Sequence, residues 1–273
     1  IRSASPAFFT MPEHPDVAAF RRRLAQTSLH RTINQFECDD TTILESVSRR
    51  RLRETLEGRA FEETSQHGKY AFARLSGEAG WLVFHFGMTG RFVFHGMNEA
   101  DGDLPRYAHA VFFFDDGSRL AFVCPRKLAR LALVREPEDW TEEKALGPDA
   151  LAVGVRDFDR RLEGRRGCLK AALMDQSLVA GVGNVYSDEI CFQERWHPRH
   201  AVSALDGEAR KSLRRTMQRI LKVAARHEAH PDELPRGYLL PHRHEGGHCP
   251  RCDTPLEQAR VVRTSYFCPQ CQS

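Results

Sequence analysis

No stretch of the 273-residue chain approaches the run of about 18 apolar residues that a membrane-spanning helix needs. The opening Ile1–Thr10 is short and mixed, without the apolar core of a secretory signal. A large net charge is missing too: 40 Lys and Arg against 37 Asp and Glu leave +3. That excludes a chain that grips polyanions through its overall charge, so any nucleic-acid surface has to be local. The eight cysteines lack the spacing of a disulfide framework. Four are scattered (Cys38, Cys124, Cys168, Cys191) and four form two CxxC pairs near the C-terminus. This pattern points to a metal site in a reducing compartment, with the scattered four as buried free thiols. The corresponding expectation is a cytoplasmic protein. Internal repeats and low-complexity tracts are also absent, which excludes a solenoid or a disordered scaffold.

What is present is an ordinary globular balance, 41% hydrophobic and 28% charged, over a length that suits two or three units. Positive charge is concentrated locally. Leu205–His227 carries seven Lys/Arg (Arg210, Lys211, Arg214, Arg215, Arg219, Lys222, Arg226) against Asp206 and Glu208. Arg160, Arg161, Arg165, Arg166 and Lys170 form a second cluster. Either cluster, taken alone, reads more readily as a solvated helix face.

The hydrophobic pattern predicts a helix from Pro15 to about Gln26, with Val17, Phe20 and Leu24 on one face. From Ile33 to Val134 it predicts mostly strands, including Trp81–Phe86, Val111–Phe114 and Leu120–Cys124, with a turn at Asp115–Ser118. One helix is expected near Thr42–Leu56. Several short strands in about 110 residues imply a two-layer β structure. Beyond Pro137 the pattern turns helical: Asp157–Leu162, Leu169–Met174, Val185–Gln193, and a long helix capped by Asp206. His227–His248 reads as a polar loop.

Cys249-x2-Cys252 and Cys268-x2-Cys271 are fifteen residues apart. Two knuckles joined by a short hairpin can close four sulfurs around zinc. A 25-residue tail cannot build its own core, so metal binding would fold it. With four sulfur ligands no position stays open for water, so the zinc would be structural. His248 reads as a loop histidine. Arg263, between the knuckles, could reach a phosphate or remain an ordinary surface arginine.

Five segments taken together resemble the formamidopyrimidine-DNA glycosylase / endonuclease VIII family. They are Met11–Val17 (MPEHPDV), His67–Tyr70 (HGKY), His85–Gly90 (HFGMTG), Leu169–Glu189 (LKAALMDQSLVAGVGNVYSDE) and the cysteine tail with Arg263 five residues before its third Cys. They run in order over nearly the whole chain. The resemblance implies an α+β fold: an N-terminal β-sandwich with flanking helices, a helical helix–two-turns–helix domain and a C-terminal zinc ribbon. The expected bounds are 1–10 for an N-terminal extension, 11–137 for the sandwich, 138–245 for the helical domain and 246–273 for the zinc finger.

The resemblance also implies the chemistry. Pro12, made N-terminal by loss of Met11, would attack C1′ of a damaged nucleoside through its secondary amine, and Glu13 would act as the acid that assists ring opening. Lys69 would hold a phosphate and stabilise developing charge. Met88 would fill the gap left by a flipped nucleotide, and in Cys124–Leu128 (CPRKL) Arg126 would face the orphaned base beside Leu128. Lys170 and Asn184 would contact the lesion strand, and backbone N–H groups around Gly181–Asn184 would cradle a phosphate.

The implied function is a bifunctional glycosylase and abasic-site lyase acting on double-stranded DNA with a damaged base or abasic site, with structural zinc, as a monomer. The alternatives are a non-catalytic, zinc-dependent binder of distorted DNA and a zinc-ribbon protein that binds RNA. Ten residues precede Met11, and with them in place the Pro12 nitrogen is a tertiary amide with no lone pair to offer. A start at Met11 is expected, since a Met directly before Pro12-Glu13 is what this chemistry needs. Other departures from the family pattern are His14, Asp16, Leu128 and a short 227–248 stretch; they bear on lesion preference.

Overall fold

The computed structural model describes residues 11–99 and 102–273; the expected extension 1–10 lies outside the described residues. The chain divides into two compact units. The first ends at Glu142, and the second holds Glu143–Ser273 together with Glu13–Asp16.

The first helix, α1 (His14–Ser28), belongs to the first unit from Val17 on and has Pro15 in its first turn, where a missing N–H costs nothing. Asp16 accepts the Glu13 N–H at 2.9 Å. Val17 and Leu24 are buried in the core with Phe20 packed against it, as the 3.6-residue spacing predicts.

Eight strands follow: β1 (Ile33–Cys38), β2 (Phe61–His67), β3 (Tyr70–Leu75), β4 (Trp81–His85), β5 (Arg91–His95), β6 (Ala108–Phe114), β7 (Arg119–Val123) and β8 (Arg130–Val134). They form two antiparallel sheets, ordered β1-β6-β7-β5 and β2-β3-β4-β8. Phenylalanines knit the facing layers. Phe84 of one sheet lies 5.0–6.2 Å, centroid to centroid, from Phe92, Phe112 and Phe122 of the other. Edge-on contacts of this kind stabilise beyond the area they bury. The expected sandwich is therefore present.

Two local expectations change. The helix expected over Thr42–Leu56 is broken: Asp40 caps a 3₁₀ turn at Thr41–Ile43, and α2 (Arg49–Leu56) starts afresh with Ser48 accepting from the Arg51 N–H. Each cap satisfies a backbone donor and ends the preceding segment. A short helix, α3 (Pro137–Glu143), also follows β8 and buries Trp140. Pro137 and the acids Glu138 and Asp139 in its first turn were its sequence signal.

The second unit contains α4 (Val155–Leu162), α5 (Leu169–Met174), α6 (Asn184–Glu194) and α7 (Gly207–Arg226). Asp206 caps α7 by accepting the Ala209 N–H at 2.8 Å. Leu213, Met217, Ile220, Leu221 and Ala224 bury its apolar stripe. The tail folds as a hairpin of β9 (Glu257–Val261) and β10 (Arg263–Phe267). No helix among the described residues is long and apolar enough to cross a membrane.

Candidate nucleic-acid interface and metal centre

The metal centre is the best defined. The Sγ atoms of Cys249, Cys252, Cys268 and Cys271 all lie within 4.8 Å of one another. Three of the separations are 3.8, 3.5 and 3.4 Å. A tetrahedron of sulfurs about 2.3 Å from a zinc ion has edges of about 3.8 Å, so the four thiols fit such an ion. The first knuckle is closed by Cys249 N–H to Thr254 O (2.9 Å) and Asp253 N–H to Cys249 O (2.9 Å). Arg251 N–H points at Cys249 Sγ (3.4 Å). His248 is exposed, its Nδ1 beside Asp253 O, and stands outside the tetrad. Val262 forms the tip of the β9–β10 hairpin in a left-handed conformation (φ 62°), and the exposed Arg263 follows it.

The tail is docked on α6. Arg251 donates to Phe192 O (2.7 Å) and Gln193 Oε1 (3.1 Å), with its guanidinium 4.1 Å from the Phe192 ring centroid. Asp188, wholly buried, accepts Tyr266 N–H at 3.2 Å and pairs with Arg243 at 2.8 Å.

The same Asp188 corrects one expectation. Lys170 is 0% exposed, and its ammonium lies 2.5 Å from Asp188 Oδ1 and 3.2 Å from Asn184 O. A side chain enclosed by its own unit cannot reach a DNA strand, so Lys170 is a structural cation. Burial pulls its ammonium below the usual lysine value and pushes the Asp188 carboxyl above the usual carboxylate value. Other members of the basic clusters are internally paired as well: Arg160 and Arg161 with Asp157, Arg165 with Asp175, Arg210 with Asp159. Lys211, paired with Glu208 at 2.7 Å, and Arg215, Arg219, Lys222 and Arg226 are exposed along α7.

A second correction concerns the turn before α6. Its N–H groups converge as expected, but on a side chain of this protein. Glu13 Oε2 accepts from Gly183 N (2.6 Å) and Tyr186 N (3.2 Å), and Oε1 from Val185 N (2.7 Å). These are helix N-terminal donors with no partner inside the helix, and a carboxylate is their natural acceptor. Asn184 sits within this cradle. Its Oδ1 is buried without a hydrogen-bond partner among the described residues. Pro12 immediately precedes the anchored Glu13.

The remaining candidates belong to the first unit. Lys69 lies in the two-residue turn between β2 and β3, where His67 pairs with Tyr70 and Gly68 supplies the positive φ (56°). Next to Tyr70, on β4, is His85. Burial, and then the Lys69 charge, pulls the His85 imidazole down to about 4. At neutral pH this ring is uncharged, and Lys69 and Arg130 are the cations beside it.

Met88 follows in a turn closed by Gly90 N–H to Phe86 O (2.7 Å). A Cβ on Gly87 would fall 2.5 Å from the Leu128 carbonyl. Only glycine allows this approach, and it sets the Met88 turn against the Cys124–Leu128 turn. That second turn is closed by Lys127 N–H to Cys124 O (3.0 Å) and tied down by Lys127 to Asp40 (2.5 Å). Lys127 and the Thr42 hydroxyl and N–H together hold the Asp40 carboxyl below the usual range. Arg126 is exposed and Leu128 is 43% exposed. Met88, Arg126 and Leu128 are thus brought together. Sequence reasoning missed Asp40 and Asp188, and also Asp149, whose carboxylate meets the His14 ring; each lies far along the chain from its partner.

Two family models match the chain: the formamidopyrimidine-DNA glycosylase N-terminal domain over residues 11–131 and the formamidopyrimidine-DNA glycosylase H2TH domain over 146–232. Among similar proteins, the formamidopyrimidine-DNA glycosylase of Moorella thermoacetica is 34% identical over 264 residues, covering 92% of this chain and 95% of the relative. That of Heliobacterium modesticaldum is 31% identical, covering 96% and 100%. That of Thermus thermophilus is 33% identical, covering 96% and 98%. In fold, the chain is similar to the Lactococcus lactis formamidopyrimidine-DNA glycosylase solved non-covalently bound to DNA containing an abasic site. The TM-score is 0.84 at 24% identity, over 96% of this chain and 99% of that one.

Proposed function

The chain belongs to the formamidopyrimidine-DNA glycosylase family, and from that premise we propose that it removes oxidised or ring-opened bases from duplex DNA and nicks the strand at the abasic site. The observation that carries the reading is the fixation of Glu13, next to Pro12, by three N–H donors at the start of α6.

In a chain that begins at Pro12, the secondary amine attacks C1′ of the damaged nucleoside. Amine nucleophiles of this type have values near neutrality and carry a lone pair at working pH. The C1′–N bond to the base breaks, an iminium joins Pro12 to the sugar, and elimination then cuts the strand. Glu13 is the acid that assists ring opening, and Lys69 neutralises a phosphate. For this chemistry the nucleotide must leave the helix stack. Met88 and Leu128 fill the gap, Arg126 faces the unpaired base, and Asn184 and Arg263 hold the strand. The bounds 11–137, 138–245 and 246–273 are the proposed working parts of this machine. Zinc, held by Cys249, Cys252, Cys268 and Cys271, supplies only the fold of the tail. The compartment that suits paired CxxC thiolates and a chromosome is the bacterial cytoplasm.

The test is incision of a duplex carrying a single ring-opened purine beside the same duplex undamaged. The expected result is a cut at the lesion only. Tight binding to the damaged duplex with neither strand cut would favour the non-catalytic binder.

A further inference from the structure

We propose that His14 is a positioning residue for this reaction, holding the Pro12–Glu13 pair in place through Asp149 and the Gly181 carbonyl. The inference rests on Pro12 and Glu13 being the reacting groups, and deepens that reading by assigning a task to their neighbour.

His14 is buried at 4% exposure and uses both its main chain and its ring. Its N–H donates to Gly181 O at 3.0 Å. Its Nε2 lies 3.3 Å from Asp149 Oδ1 and 3.2 Å from Oδ2. Asp149 is itself fixed: Oδ1 also accepts the Leu151 N–H at 2.8 Å. The Asp149 segment and the Gly181 segment are stitched to each other by Ala180 N–H to Pro148 O (2.9 Å) and Ala150 N–H to Ala180 O (2.9 Å). The two handles of His14 therefore grip the two arms of one small, closed piece of backbone. Two residues beyond Gly181 begin the N–H groups that hold Glu13.

Physically, Glu13 is held at its carboxylate, at its own N–H, which Asp16 accepts at 2.9 Å, and through the residue that follows it. The side-chain cradle and the single Glu13 N–H bond to Asp16 would still let the main chain swing about the Glu13 side-chain bonds, carrying Pro12 with it. Gripping His14 removes that freedom. An amine nucleophile reacts from a near-attack distance of about 3–3.5 Å, and a displacement of about 1 Å can cost about a hundredfold in rate. The ring–carboxylate bond needs a donor at Nε2, which both the neutral ring with its proton there and the charged ring provide. Leucine or glycine at position 14 would leave the half-buried Asp149 carboxylate without this donor.

The experiment uses chains running from Pro12 to Ser273: wild type, His14→Leu, His14→Gln and Asp149→Asn. Two quantities are read: the single-turnover rate of borohydride trapping on a duplex with one abasic site, and the Kd for the same duplex carrying a tetrahydrofuran site that cannot be trapped. His14→Leu is expected to slow trapping about tenfold or more with Kd within about twofold. His14→Gln, whose amide nitrogen can reach Asp149, should recover most of the rate. Asp149→Asn, which keeps its shape and the Leu151 bond, should slow trapping severalfold.

Wild-type trapping rates in both His14→Leu and Asp149→Asn would overturn the proposal. So would a parallel loss of rate and affinity in His14→Leu that glutamine does not repair, which marks a merely structural histidine. Should the wild type itself fail to trap, the Pro12 reading falls and this inference with it; that outcome is separate from a trapping wild type with indifferent variants.

Discussion

Glu13→Gln is expected to lower base excision by about 10²–10⁴-fold, the usual contribution of a placed general acid. The amide is nearly the same size as the acid but cannot deliver a proton to the sugar oxygen. It also fits the cradle badly. Three N–H groups converge on two carboxylate oxygens, and an amide turns one of those acceptors into a donor. One buried N–H then faces another, at about 1–3 kcal/mol. The variant should thus melt slightly lower while remaining folded. Trapping at a preformed abasic site should fall less than excision, because the base has already left. Single-turnover excision from a damaged duplex, set beside trapping on an abasic duplex, separates the two effects. Unchanged excision would remove Glu13 from the chemistry.

Cys268→Ser is expected to release the whole tail. Cys268 is wholly buried, its N–H bound to Gln272 Oε1 (2.9 Å), and it packs with Phe192, Leu239 and Cys249 against α6. Apart from this small cluster the hairpin has little core, so a metal ion held by the four thiols would be what fixes its fold. Structural zinc sites in isolated fingers bind with about 10–16 kcal/mol of apparent free energy at pH 7. Losing one of four thiolates should take zinc content from one per chain to near zero. Residues 249–273 should become protease-sensitive and affinity for the abasic duplex should drop sharply. A chelator at pH 7 should do the same to the wild type. Acidification should also release the ion, because protons compete for thiolates, so metal affinity falls as pH falls. A protein that retains full DNA affinity without its metal would show that the tail does not hold the strand.

Much of this was readable from the chain because the signals were local. The CxxC spacing determines a tetrad whatever lies upstream. The α5 and α6 patterns, with a glycine-rich turn between them, specify two helices within about one residue. Alternating apolar runs with Asp115–Ser118 between them specify a hairpin.

What escaped was decided by partners far away in sequence. Lys170 looked like one more cation in a basic run, and only the fold supplies Asp188, eighteen residues on, to bury it against. The N–H groups before α6 looked like an anion site, and they are one, but the anion is Glu13, some 170 residues earlier. Asp149 gave no signal of its own, since its meaning depends on a histidine 135 residues back. Pairings of this kind are set by tertiary packing, to which hydrophobic period and short motifs are blind.

If Pro12 is the nucleophile, borohydride traps it on a duplex with one abasic site. Two proteins are compared, the chain beginning at Ile1 and the chain begun at Met11 with that methionine removed. A covalent adduct is expected from the second alone, mapped to Pro12 by mass spectrometry and weakened by Pro12→Gly. If neither chain forms an adduct while both bind the abasic site, Pro12 is not a working nucleophile and the protein recognises damage without cutting it.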